Sequence, residues 1–223
     1  TCEAEQIIIT GGNRDALSIL SHALLGTATP GRPADGRIWL ENPCFRPMAT
    51  LFQWLGARPN ALALDEQGAC IPATLATTTK PSVVLLTPNR QYPLGIMMSP
   101  QRRQAWLALL EQQRQASHQP MWIIEDDYDN EFLYQGRGSV PLMSQDHSES
   151  IFYVGSFSKV MFRGLRLGFI VAPKKQVASL KQSQQAIGSV ASLSIQPALA
   201  EFMRNGDFGV HLRRMRRLYL TKR

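Results

Sequence analysis

Met121-Trp122-Ile123-Ile124-Glu125-Asp126-Asp127-Tyr128-Asp129 runs from an almost wholly apolar stretch directly into a cluster of acids. A strand that is apolar on both faces belongs in a sheet covered by helices on both sides, because an uncovered face would leave half of its side chains in water. Similar β-type runs occupy residues 6–10, 38–41, 61–64, 83–87, 151–156 and 167–172. Between several of them apolar residues return at helical spacing. Ala16, Leu17, Leu20, Ala23 and Leu24 do so between Gly11-Gly12 and Gly26. Trp106, Leu107, Leu109 and Leu110 do so in a segment with Ser99 as cap and Pro100 at its first position, ending before Ser117. Residues 45–55, 174–186 and 195–204 carry the same pattern. The alternation predicts an α/β fold, a three-layer α/β/α sandwich with a mostly parallel sheet, and places a ligand at the carboxyl ends of the strands.

The chain has 223 residues, 44% hydrophobic and 18% charged, which suits one large globular domain and excludes disordered, collagenous and coiled-coil classes. No apolar run approaches the roughly 18 residues of a membrane span, and the start Thr1-Cys2-Glu3 has no signal-peptide character. Cys2, Cys44 and Cys70 are odd in number and lack C-x-x-C spacing, so neither a disulfide framework nor a metal site is expected and a reducing cytoplasm is. Of the net charge of +7, residues 204–223 carry +6. There Arg213, Arg214, Arg216 and Arg217 interleave with Leu212, Met215, Leu218 and Leu220, a basic amphipathic helix that either packs on the domain or faces DNA or an acidic partner. A start at Thr1 and an end at Arg223 inside a helical pattern lead us to expect a fragment of a longer protein.

Three segments suggest one chemistry. In an extended strand Ile124, Asp126 and Tyr128 share a face, and Ile123, Glu125 and Asp127 share the other. A carboxylate and a phenol together at a strand end can hold a heteroaromatic ring, although a solvated acidic turn or a hard-cation site would read the same way. Ile151-Phe152-Tyr153-Val154-Gly155-Ser156-Phe157-Ser158-Lys159 is a second strand, ending in two hydroxyls and a lysine, with Arg166 seven residues on. Ser156, Ser158 and Arg166 can bind a phosphate, and the cations Arg163 and Arg166 would favour Lys159 as a nucleophilic amine. A lysine beside a phosphate site indicates a Schiff-base cofactor. Gly11-Gly12-Asn13-Arg14 opens the first helix, where backbone N–H groups and the helix dipole favour an anion. This turn has neither P-loop nor Rossmann spacing.

These residues resemble the fold-type I aminotransferases that bind pyridoxal 5′-phosphate (PLP), and more narrowly the aminotransferase-like domain of MocR-type regulators in the GntR superfamily. The resemblance rests on the blocks 125–132 and 155–168, on Thr87-Pro88-Asn89-Arg90-Gln91-Tyr92-Pro93-Leu94-Gly95, and on Glu41-Asn42-Pro43-Cys44-Phe45. It implies a PLP-dependent transferase-like large domain over residues 1–223. Lys159 would form the internal Schiff base, Asp126 would partner the pyridinium nitrogen, and Tyr128 would donate to the phenolic oxygen. Ser156, Ser158 and Arg166, with Gly12, Asn13 and Arg14, would hold the phosphate, and Phe45 would lie near the ring where the family often has tyrosine. Arg163 replaces a usual proline, and Arg90 a common histidine.

The resemblance also implies an N-terminal winged-helix DNA reader and a C-terminal small domain bearing a carboxylate-binding arginine, neither of which this sequence contains. The leading expectation is therefore a regulator's sensor domain for a small amino compound or amino acid, forming a homodimer and meeting DNA only through the absent reader. The alternative is a free-standing class I/II aminotransferase converting amino acids to 2-oxo acids with the same residues. A scaffold that no longer binds cofactor is the third reading. The fragment alone is expected to be an inefficient transaminase, because the substrate would lack the arginine that orients it.

Overall fold

The computed structural model describes residues 2–25, 36–76, 82–116, 121–132 and 140–221. In chain order its strands and helices are β1 (Ile7–Thr10), α1 (Asn13–Leu25), β2 (Arg37–Glu41), α2 (Arg46–Trp54), β3 (Arg58–Leu62), β4 (Leu64–Asp65), β5 (Gly68–Ala69), α3 (Ala73–Ala76), β6 (Ser82–Leu86), α4 (Pro100–Ala116), β7 (Met121–Asp127), β8 (Ile151–Ser156), β9 (Gly168–Val171), α5 (Val177–Ala186), α6 (Gln196–Arg204) and α7 (Asp207–Thr221). Seven strands form one sheet in the order β1-β9-β8-β7-β6-β2-β3. From β8 to β3 every neighbouring pair is parallel, whereas β9 runs antiparallel to both β8 and β1.

The two-residue period of the strands sorts the core into two layers. Ile38, Leu40, Val83, Leu85, Ile124 and Val154 point to the side of α1, α2 and α5, where Leu17, Leu20, Phe52 and Leu180 meet them. Trp39, Val84, Leu86 and Ile123 point to the opposite side, under Trp106, Leu109 and Leu110 of α4. The three-layer expectation holds, and each layer is a continuous apolar cluster. Full burial of one such side chain contributes on the order of 1.5–3 kcal/mol, so the layers supply the main driving force for folding.

Local signals explain the ends of elements near the site. Ser99 caps α4, its Oγ accepting the Arg102 N–H at 3.1 Å, with Pro100 in the first turn. Trp106, fully buried, donates its Nε1–H to the Ala69 carbonyl at 3.0 Å and pins α4 to β5. The strand expected at 61–64 is instead β3, which lies earlier and carries Pro59. Proline is tolerated there because β3 is the sheet edge, and it masks the strand pattern in the sequence. Leu64 and Asp65 pair separately with Gly68 and Ala69. The helix expected over 174–186 starts as a 3-10 turn, Lys174–Gln176, before α5. Gly26 and Ser117, expected as helix limits, lie outside the described residues, as do Thr1 and Arg223. No helix among the described residues is long and apolar enough to cross a membrane.

Candidate functional site

Because β2, β6, β7 and β8 are parallel, their carboxyl ends deliver Glu41, Thr87, Asp126 and Ser156 to one edge of the sheet. A cleft of about 530 Å³ opens there against the first turn of α1. Lys159, Asp126, Tyr128, Ser156, Ser158, Arg166, Gly12, Asn13, Arg14 and Phe45 all line it, so the ten residues expected to meet the cofactor converge on one space.

Asp126 is the acid of β7 that lines this cleft. It is 4% exposed and accepts a hydrogen bond from Asn13 Nδ2 at 2.8 Å. None of the ion pairs among the described residues includes it. Burial therefore raises its pKa from 3.8 to about 7, and the carboxyls of Asp127, Glu41 and Asp129 push the same way against the Asn13 bond. Tyr128 lies on the same cleft, its hydroxyl donating to the Arg90 carbonyl at 3.3 Å. Burial raises the phenol's pKa, so at neutral pH it keeps its proton and can donate.

The other acids of the cluster face away, as the strand period requires. Asp127 accepts from Asn89 Nδ2 at 3.0 Å and from the Tyr153 hydroxyl at 2.8 Å. Glu125 accepts the backbone N–H groups of Leu142 and Met143 at 2.9 and 3.0 Å. Buried Arg103 bonds the Pro88 carbonyl and Asn89 Oδ1, so the 88–89 turn and Asp127 belong to one buried polar network behind the cleft. The acidic turn is thus divided between two faces, and only its Asp126 and Tyr128 line the cleft. Asp129 forms an ion pair with Arg90 at 2.9 Å and ties that arginine to the turn after β7.

The cationic side of the cleft holds Arg14, Lys159, Arg163 and Arg166. Ser158 donates its N–H to Ser156 Oγ at 3.2 Å, which folds the end of β8 into a tight turn. Arg166 has φ +45° and ψ +44°, a left-handed conformation that strains a residue with a Cβ and is found at functional sites. Gly12, at φ +106°, lets the chain turn from β1 into α1 so that the helix's amino end faces the cleft. Asn13 was expected among the phosphate holders. Its side-chain amide is committed to Asp126, which leaves its backbone N–H for an anion.

Two residues on the cleft were given no role in the sequence reading. Glu41 is a second buried carboxyl on the cleft, bonded by the N–H and hydroxyl of Thr87 and by Gln91 Nε2 at 3.4 Å, with its pKa raised by burial. Its signal was the same as that of Asp126, an acid ending an apolar strand. Tyr92 stands edge-on to Phe45, ring centres 5.7 Å apart, and the two half-exposed rings flank the cleft.

The sequence model for aminotransferase class I and II matches residues 2–223. The chain belongs to this family. Its structure superimposes on kynurenine aminotransferase from Pyrococcus horikoshii with a TM-score of 0.82 at 21% identity, covering 96% of this chain and 52% of that one. It also superimposes on LysN, the α-aminoadipate aminotransferase of Thermus thermophilus, with a TM-score of 0.82 at 24% identity, covering 96% and 53%. Curated relatives include the probable rhizopine catabolism regulatory protein MocR of Rhizobium meliloti, 34% identical over 99% of this chain. The pyridoxine biosynthesis transcriptional regulator PdxR of Corynebacterium glutamicum is 31% identical over 99%. The chain spans only 42% and 45% of the length of these two relatives. The cofactor of the family is PLP.

Proposed function

We propose that this chain is the PLP-binding, amino-compound-sensing domain of a transcriptional regulator, acting through Lys159. The similarity of nearly the whole chain to regulators such as MocR and PdxR carries the regulator reading. In the whole protein, residues 1–223 would be the large domain, joined to an N-terminal winged-helix DNA reader and a C-terminal small domain, in a cytoplasmic homodimer.

The donor set of the cleft fits PLP. When bound, PLP supplies an aldehyde that condenses with primary amines and an electron-withdrawing ring. Asp126 is a buried carboxyl without a cationic partner among the described residues, and a protonated ring nitrogen is the counter-charge it lacks. Tyr128 keeps its proton at neutral pH and would turn its long bond to Arg90 toward the ring's phenolic oxygen. Ser156, Ser158 and Arg166, with the backbone of Gly12, Asn13 and Arg14, would hold the phosphate, and Phe45 would cover the ring. Lys159 would supply the amine that holds the aldehyde carbon until an amino ligand replaces it.

The test is the full-length protein with PLP. A visible absorbance band should appear, become fixed on Lys159 by borohydride, and vanish in Lys159→Ala; the same reducible band in that variant overturns the assignment. The second reading, a free-standing aminotransferase, is favoured by the solved aminotransferases that share the fold. Keto-acid formation at roughly 1 per second or faster would put it first.

A further inference from the structure

The helix α7 carries four arginines and has no buried residue, yet it makes defined contacts with the domain. A helix so polar is held by particular contacts and not by a broad apolar face. Part of that hold comes from α6, where Phe202 stands edge-on to Phe208 and His211, and the remaining contacts fall on the two segments that carry the candidate ring and amine groups. Near its start, Phe208 stands edge-on to Phe157, ring centres 6.1 Å apart, and Phe157 lies between Ser156 and Ser158. One turn later a ring nitrogen of His211 is 2.7 Å from the carbonyl of Val160, the residue after Lys159. A carbonyl can only accept, so that nitrogen carries the hydrogen and donates it. Toward its end, Arg216 donates Nε–H to the Glu131 carbonyl, and Tyr219 meets the Phe132 ring edge-on at 5.2 Å, four residues past Tyr128.

Phe208, His211, Met215 and Tyr219 recur at steps of three and four, so they form one stripe about 16 Å long on a single rigid rod. The stripe spans the segments that follow β7 and β8. On the other side of the helix Arg213, Arg214 and Arg217 are exposed. We propose that α7 is a positioning element of the cleft: His211 fixes the backbone beside Lys159, Tyr219 fixes the turn after Tyr128, and occupation of the cleft is thereby felt along α7 and its outward arginines. The proposal rests on the PLP reading above. In it, His211 touches neither cofactor nor ligand and acts through the Val160 carbonyl.

Three measurements on the full-length protein test it. With Lys159 fixed to PLP by borohydride, amide exchange over residues 207–221 should slow at least about threefold relative to the ligand-free protein. His211→Ala should remove that protection and alter the circular dichroism band of bound PLP, which reports ring orientation, whereas His211→Gln, whose amide can still donate to Val160, should restore both. Tyr219→Ala should give the same loss from the other end of the helix, and it decides the matter if His211→Ala does not fold. Unchanged exchange over 207–221 in protein whose Lys159 is demonstrably modified overturns the proposal and leaves the PLP reading standing. Failure to modify Lys159 in the wild type overturns the PLP reading instead. The clamp then stands or falls on the ligand-free protein, where His211→Ala must speed exchange over residues 157–163.

Discussion

Replacing Asp126 by asparagine should stabilise the ligand-free protein while weakening its hold on PLP. The carboxyl is 4% exposed, and burial raises its pKa from 3.8 to about 7. Between those values the folded protein keeps a proton that the unfolded chain releases, so this group's contribution to stability falls as pH rises from about 4 to about 7 and is level above that. The full effect is about 4 kcal/mol at pH 8, and under about 2 kcal/mol at pH 5. Asp126→Asn keeps the side-chain oxygen that accepts from Asn13 and removes the titration. Urea unfolding of ligand-free wild type and variant at the two pH values should therefore show a gain that grows with pH. With saturating PLP the order should reverse, since only the wild type gains the binding free energy in full. An equal gain at both pH values, or none at pH 8, would refute the argument that desolvation of this carboxyl governs the site.

The opposite face of the strand predicts the opposite phenotype: Asp127→Ala leaves Asn89 and the Tyr153 hydroxyl without their acceptor and should cost about 2–3 kcal/mol in chemical unfolding, with PLP affinity changed only a few fold. Arg166→Gly relieves the left-handed backbone and should raise ligand-free stability by about 1 kcal/mol. The same change should weaken PLP binding by about tenfold or more in a fluorescence titration, through loss of a charge-assisted bond to phosphate. Trp106→Ala removes the fully buried ring that joins α4 to β5 and should cost about 3–5 kcal/mol in thermal or urea unfolding.

Much of this protein was legible in the sequence because the relevant signals are short-ranged. The two-residue period put Ile124, Asp126 and Tyr128 on one face, and the structure shows Asp126 and Tyr128 on the cleft with Asp127 behind the sheet. Serine and proline before Trp106 marked the start of α4 within a residue, since capping is decided by a few adjacent groups. Apolar strands between helical segments gave the three layers, because a strand with two apolar faces has to be covered twice. The sequence also set the parity of the acids and the chemistry available at each strand end.

Tertiary structure alone decided direction and partnership. That β9 runs antiparallel between β8 and β1 depends on pairing across the sheet, and an apolar strand reads alike in either direction. Asn13 meets Asp126 across 113 residues, and Glu41 meets Thr87 across 46, so neither bond leaves a local trace. The pKa of Asp126 likewise follows from burial, a property of the surrounding volume and not of the residue. The arginine-rich end of the chain read as an amphipathic helix that either packs on the domain or faces a partner. Its placement against the segments after Tyr128 and Lys159 came only with packing, because His211 and Tyr219 meet groups 51 and 87 residues away, beyond the reach of any local pattern.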